Sequence, residues 1–128
     1  MTSLYKNTSI LELTSKDFNY EKKITVKNQI FKNRNGLIVI YAPWCVHCQN
    51  MVQDYIELGN LFKNKFILSA INSEDIENFN DELIRQLHVK EFPTFKYVTN
   101  SGNIINYKGQ TGKEDIMYFI CSKEKTCI

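Results

Sequence analysis

No stretch of this 128-residue chain approaches the run of about 18 apolar residues that a membrane-spanning helix needs. A charge of one sign is missing too: 16 basic and 14 acidic residues are well mixed and leave a net charge of +2. Neither nucleic acid nor a membrane is therefore expected as a partner. The first residues, Met1-Thr2-Ser3-Leu4-Tyr5-Lys6-Asn7, lack the apolar segment of a secretory signal. The last, Lys125-Thr126-Cys127-Ile128, form neither a retention tetrapeptide nor a prenylation box. The location these absences suggest is cytoplasmic. Repeats, low-complexity tracts and interior linkers are also missing, so residues 1–128 read as one domain with a core at about 10–121, expected to be a monomer. Four cysteines are too few for a disulfide-built scaffold, and a 43% hydrophobic content can supply a core without one. The abundance of Asn and Ile hints at an AT-biased genome, such as a parasite's or a large DNA virus's; a viral source would make association with the virion an expectation.

What is present alternates in period. Ile10-Leu11-Glu12-Leu13 reads as a short strand, and residues 18–35 are ambiguous between extended and helical. Leu37-Ile38-Val39-Ile40-Tyr41 is a continuous β-branched, apolar run, as expected of a strand covered on both faces. From Trp44 the apolar positions fall at helical spacing (Cys48, Met51, Val52, Tyr55, Ile56, Leu58), which predicts one helix from the Cys pair into the 60s. Phe66 to Ile71 reads as a second buried strand, and a helical face follows at Leu83, Ile84 and Leu87. Thr94 to Val98 and Ile104 to Tyr107 flank an Asn100-Ser101-Gly102-Asn103 turn, and Lys113 to Cys121 reads as a final helix. This order favours an α/β fold, a mixed central sheet flanked by helices.

Cys45 and Cys48 stand at the first turn of a helix that follows a buried strand. A helix N-terminus carries free N–H groups and partial positive charge, which favour a thiolate on Cys45. One turn on, Cys48 is within reach of a disulfide formed on Cys45. Cys45 is thus the candidate nucleophile and Cys48 the resolving thiol. A Cys-x-x-Cys can also be half a zinc site. Here the other half is missing: Cys121 and Cys127 are distant in sequence, His88 stands alone, and His47 lies between the two cysteines, badly placed to join both. No metal and no cofactor are expected.

The segment Ala42-Pro43-Trp44-Cys45-Val46-His47-Cys48 resembles the active site of the thioredoxin superfamily, in particular the protein disulfide isomerase type. The similarity extends through Ile10 to Thr14, Ile56-Glu57-Leu58-Gly59, Val89 to Thr94, Tyr107-Lys108-Gly109 and Phe119-Ile120, and is weakest at 19–35. It implies the thioredoxin fold and a thiol–disulfide oxidoreductase, in the reductase, oxidase or isomerase direction. Protein thiols and disulfides are the implied substrates, and a reductase or thiol oxidase the implied redox partner. It also implies a cis peptide bond at Pro93, packed against the Cys pair, which leaves the Phe92 backbone free to pair with an extended substrate. Beside a catalytic Cys, Trp44 reads as a partly exposed substrate contact rather than a core residue. His47 reads as a tuner of redox poise: in cationic form it favours the Cys45 thiolate and makes the couple more oxidising. The alternative function is a partner-binding module on the same fold with little redox turnover.

The chain departs from the family pattern in several places. Val39 stands where an acidic residue usually lies beneath the first Cys, and Ala70 where its basic partner usually lies. Both halves of the pair are missing together, which avoids an unpaired buried charge. Gln53 replaces the usual helix-kinking proline, and Val46 replaces a Gly between the cysteines, narrowing the approach to the pair. With no acid at Val39, slow release of mixed disulfides is expected, unless Glu91 or His47 acts as base. Cys121 and Cys127 are expected to be unpaired, because six residues of helix separate them by about 9 Å, unless the helix ends between them.

Overall fold

Gly36–Tyr41 is the middle of the sheet, and its uninterrupted apolar sequence follows from that position. The computed structural model describes residues 2–125 and 127. Its strands are β1 (Leu11–Leu13), β2 (Phe18–Asn19), β3 (Thr25–Val26), β4 (Gly36–Tyr41), β5 (Ile67–Asn72), β6 (Thr94–Val98) and β7 (Ile104–Asn106). Its helices are α1 (Asn28–Phe31), α2 (Val46–Asn50), α3 (Val52–Phe62), α4 (Asn80–Gln86) and α5 (Lys113–Glu124). Five strands form one sheet in the order β1-β5-β4-β6-β7. β1, β5 and β4 run parallel, while β6 and β7 join antiparallel. The sheet is therefore mixed, as the alternation of periods suggests.

Alternate residues of β4 feed two cores. Leu37, Val39 and Tyr41 pack with Leu68 and Ala70 of β5, Phe95 and Tyr97 of β6, Tyr55, Leu58 and Phe62 of α3, and Ile116 and Ile120 of α5. Ile38 and Ile40 pack on the opposite face with Leu13, Phe18, Val26, Phe31, Ile71, Leu83 and Ile84. Burying both faces removes the period-2 polar alternation that a half-exposed strand would show.

The ambiguous stretch at 18–35 becomes a two-stranded hairpin, β2 with β3, followed by α1. It is tied down at Gly102, whose φ is +89° and whose carbonyl accepts from Val26 N–H at 2.9 Å. A Cβ at Gly102 would come within 2.4 Å of the Val26 carbonyl oxygen, so the turn requires glycine on both counts.

Two expectations from the sequence are corrected. The helix after the Cys pair is not continuous. It breaks at Met51 (φ −100°, ψ 0°), where the backbone N–H turns to the Gln49 carbonyl and the side chain enters the core. The break forms without a proline. Cys121 and Cys127 are joined by a disulfide, with their Cα atoms 5.1 Å apart. The helix ends between them: α5 stops at Glu124, and Lys125 adopts a left-handed conformation with its N–H bonded to the Cys121 carbonyl. The chain doubles back there, cancelling the helical rise that would hold the two sulfurs apart.

Candidate active site

The site is built where β4 ends. Ala42 and Pro43 are buried, and the chain turns through a Cys45 N–H to Ala42 carbonyl bond of 3.0 Å. Cys45 is the N-cap of α2, and its sulfur accepts the Cys48 amide hydrogen at 3.2 Å. That bond gives one of the free N–H groups of the first turn a partner in the Cys45 sulfur. Cys45 Sγ also lies 3.7 Å from the Phe92 carbonyl oxygen, to which its thiol donates when protonated. The Gln49 amide holds the turn from below by donating to the Pro43 carbonyl at 2.7 Å.

The two thiols differ in environment. Cys45 is partly exposed, and Cys48 is 1% exposed. Burial, reinforced by the Cys45 sulfur, pushes the Cys48 thiol up to about 12. Cys45 is thus the accessible group and Cys48 the one that must be drawn into reaction. Among the described residues, no group of three or more His, Cys, Asp and Glu side chains is placed to hold a metal ion.

The rim is apolar. The Phe92–Pro93 peptide bond is cis, and both residues are half-buried opposite the Cys pair. Trp44 is 58% exposed, meets the Phe92 ring edge-on at 6.0 Å between centroids, and donates from its indole N–H to Glu74 at 3.4 Å. Val46 is 67% exposed and His47 is exposed beside it, on the solvent side of α2. The residues singled out from the sequence (Trp44, Cys45, Val46, His47, Cys48, Phe92 and Pro93) are therefore brought to one end of the sheet.

Beneath the pair, Val39 and Ala70 are direct partners across β4 and β5, and both are fully buried. The two apolar substitutions fill one site together, which leaves no stranded charge. Glu91 is exposed, away from this interior.

Sequence reasoning missed a polar cluster on the same face. Glu12 of β1 pairs with Ala70, which pairs with Val39, so the three side chains share one side of the sheet. The Tyr41 hydroxyl lies 3.1 Å from both carboxylate oxygens of Glu12. Burial holds the Glu12 carboxyl above its ordinary range, partly offset by the Tyr41 hydrogen bond. Tyr5 is 1% exposed and packs edge-on against Tyr41 (5.4 Å) and Tyr55 (5.7 Å). The only sequence signal for Glu12 is a charge between two leucines of a strand, which alternation assigns to solvent. Residues 2–10 cover that face instead, with Tyr5 inserted into the core.

A mixed sheet with Cys-x-x-Cys at a helix start and a cis-proline loop facing it defines a thioredoxin-type fold with a dithiol site. The family profile described as Thioredoxin matches residues 10–122. The chain belongs to the thioredoxin family. It is similar to the protein disulfide-isomerase of Ricinus communis, with 30% identity over 117 residues, 90% of this chain and 22% of that protein. It is similar also to protein disulfide isomerase-like 1-1 of Arabidopsis thaliana, with 30% identity over 95 residues, 73% of this chain and 18% of that protein. The chain thus spans about a fifth of the length of these curated relatives. The solution structure of the first thioredoxin domain of mouse protein disulfide-isomerase A4 matches with a TM-score of 0.67 at 20% identity, covering 91% of this chain and 76% of that one. A crystal structure of human ERp44 (form II) matches at 0.72 and 16% identity, covering 97% of this chain and 32% of that one.

Proposed function

We propose that this chain is a thiol–disulfide oxidoreductase acting on protein thiols and disulfides through Cys45 and Cys48. The observation that carries the reading is the asymmetry of the pair: an accessible sulfur on a helix N-terminal amide, and a buried thiol three residues on whose amide supplies that bond. In the reducing direction, the Cys45 thiolate attacks a client disulfide and releases one client thiolate. Cys48 then loses its proton and attacks Cys45. The Cys45–Cys48 bond forms, the bond to the client breaks, and the client leaves as its second thiolate. In the oxidising direction the same steps run backwards.

Trp44, Phe92 and Pro93 supply an apolar rim for the client, and the Phe92 backbone offers a partner to an extended segment. His47 and Val46 flank Cys45 and are the proposed tuners of its potential and access. A redox partner, either a reductase or a thiol oxidase, is required to return the pair to its starting state. The cytoplasmic location is likewise a proposal, and the Cys121–Cys127 bond bears on it. A reducing compartment keeps such bonds open, so cells quenched with a thiol-alkylating reagent should show that pair reduced if the chain resides there.

The test is insulin reduction with a dithiol reductant. Turnover should be abolished in Cys45→Ser, and Cys48→Ser should accumulate a mixed disulfide. Turnover that survives replacement of both cysteines would overturn the reading in favour of a partner-binding module. The reduction potential then sets the direction: near about −270 mV indicates a reductant, near about −180 mV an isomerase-like catalyst.

A further inference from the structure

The Cys121–Cys127 bond is more than α5 needs to stay in place. Ile116 and Ile120 are buried in the core, and the Asn35 side-chain amide donates to Glu124 at 3.0 Å. The Lys123 ammonium lies 5.0 Å from the centre of the Tyr97 ring and 5.4 Å from that of Phe119. Lys125 closes the helix through its N–H bond to the Cys121 carbonyl at 3.2 Å, a backbone reversal that turns the chain back toward Cys121. A bond between cysteines six residues apart adds little stability, because so short a loop has little entropy to lose. Both cysteines are half-buried rather than enclosed. The pair is thus held close by the fold, open to attack and dispensable to the core, as suits a disulfide that opens and closes.

The active site of the same chain cannot reach it. Cys45 follows one end of β4, and Asn35, which holds Glu124, precedes the other; the strand between them is about 17 Å long. Exchange with a Cys45–Cys48 pair therefore needs a second copy, and the charges of the two ends are complementary. Glu74, which accepts from the Trp44 indole at 3.4 Å, stands with Asp75 and Glu77 beside the active-site rim, and Lys6 is the cation lining the same cleft. At the C-terminal bond Lys123 and Lys125 are exposed, while Glu124 is engaged by Asn35.

We propose that Cys121–Cys127 is a second exchange site, whose redox partner is the Cys45–Cys48 pair of another copy of this chain. The inference rests on the oxidoreductase reading above. The Cys45 thiolate of one copy attacks Cys127 Sγ of the other, in the tail beyond α5. The Cys45–Cys127 bond forms, and the Cys121–Cys127 bond breaks with its electron pair leaving on Cys121, which takes a proton from solvent. Cys48 of the first copy then loses its proton to solvent and attacks Cys45, and Cys127 leaves as a thiolate. One dithiol is oxidised and one disulfide reduced, and the reverse exchange runs through the same steps. The C-terminal sulfurs are client here, not catalyst. A small dithiol reductant reaches Cys45 directly, so insulin turnover does not depend on this exchange.

The experiment mixes two full-length variants. Cys121→Ser with Cys127→Ser keeps only the active-site pair, and Cys45→Ser with Cys48→Ser keeps only the C-terminal pair. One is reduced and the other oxidised, in both combinations, and the mixtures are freed of small thiols, quenched with acid, alkylated and weighed intact. In one combination two alkyl groups should pass from one variant to the other, at least tenfold faster than glutathione at the same thiol concentration moves them. The rate should fall several-fold between low and high salt, and several-fold at low salt in Lys123→Glu with Lys125→Glu. Adding Cys48→Ser to the first variant should trap a Cys45–Cys127 adduct between the two chains. No transfer in either combination, or transfer no faster than with glutathione, overturns the proposal while the active-site variant still reduces insulin. Failure of Cys121 and Cys127 to join under oxidised glutathione overturns it too, and a rate indifferent to salt and to the lysine changes overturns the charge-guided docking. An active-site variant that also fails to reduce insulin would instead overturn the oxidoreductase reading.

Discussion

Glu12 carries a stability signature. Its carboxyl sits above the ordinary range because burial penalises the anion. A raised folded-state pKa means that the folded chain holds the proton more tightly than the unfolded chain. The stability this contributes is complete below the unfolded pKa and is lost as pH rises through the folded one. Glu12→Gln, still able to accept from Tyr41, should therefore match the wild type in urea unfolding at acidic pH and exceed it at neutral pH and above. An equal gap at both pH values would mean that Glu12 is solvated. At the other end of the site, alkylation at neutral pH should modify Cys45 well before Cys48, since only Cys45 combines exposure with an amide partner. Peptide mapping after brief exposure decides this, and equal labelling contradicts the assigned roles. Replacing His47 with Gln should make the couple more reducing, because the imidazole in its cationic form favours the reduced pair and an amide cannot. Each 30 mV of shift corresponds to about 1.4 kcal/mol, read from glutathione equilibration.

At the scale of elements, the helix after the Cys pair packs closely against the residues that lead into β1. Gly59 of α3 permits the approach: a Cβ there would lie 2.7 Å from Ile10 Cδ1 and 3.0 Å from Ser9 Oγ. The Ser9 hydroxyl donates to the Ile56 carbonyl at 3.3 Å across the same contact. Gly59→Ala gains helix propensity of about 1 kcal/mol but overpacks a buried seam, at a cost of about 1–3 kcal/mol. The net effect should be a loss of stability, measured by denaturant midpoint. A gain would show that residues 9 and 10 shift aside freely. The break at Met51 ends α2 one residue before α3 begins, and α2 is anchored by Cys48 and by Met51 at its end, both buried in the core.

For the whole molecule, the two cysteine pairs lie at opposite ends of the sheet. Cys45 follows the end of β4, whereas Glu124, beside the Cys121–Cys127 bond, accepts from Asn35 at 3.0 Å just before β4 begins. The C-terminal bond closes a short loop, which in the chain-entropy account stabilises by about 2 kcal/mol. Cys121→Ser with Cys127→Ser should lower unfolding stability by roughly that amount and leave the rates of active-site thiol exchange, read by insulin reduction, unchanged. A change in those exchange rates would show that the two pairs communicate. The buried tyrosines Tyr5, Tyr41 and Tyr55 join the N-terminal segment, β4 and α3 behind the active site, so the face under the Cys pair is polar at its margin and apolar at its centre.

The sequence by itself determined the Cys45–Cys48 pair at a helix start, the buried strand before it and the mixed sheet. Those features follow from period, turn residues and spacing. The Pro93 loop, and the replacement of a charged pair by Val39 and Ala70, were legible only through the resemblance to the thioredoxin family. Tertiary structure alone decided that Met51 interrupts the helix, and that the chain reverses at Lys125 to join Cys121 with Cys127. It alone decided that Glu12, a strand-edge charge by its pattern, faces inward beneath Tyr5 and Tyr41. These outcomes depend on contacts between residues as far apart as Glu12 and Tyr41 or Asn35 and Glu124. Burial, and the energies that follow from it, come from what the rest of the chain places over a residue, and no window along the sequence contains that.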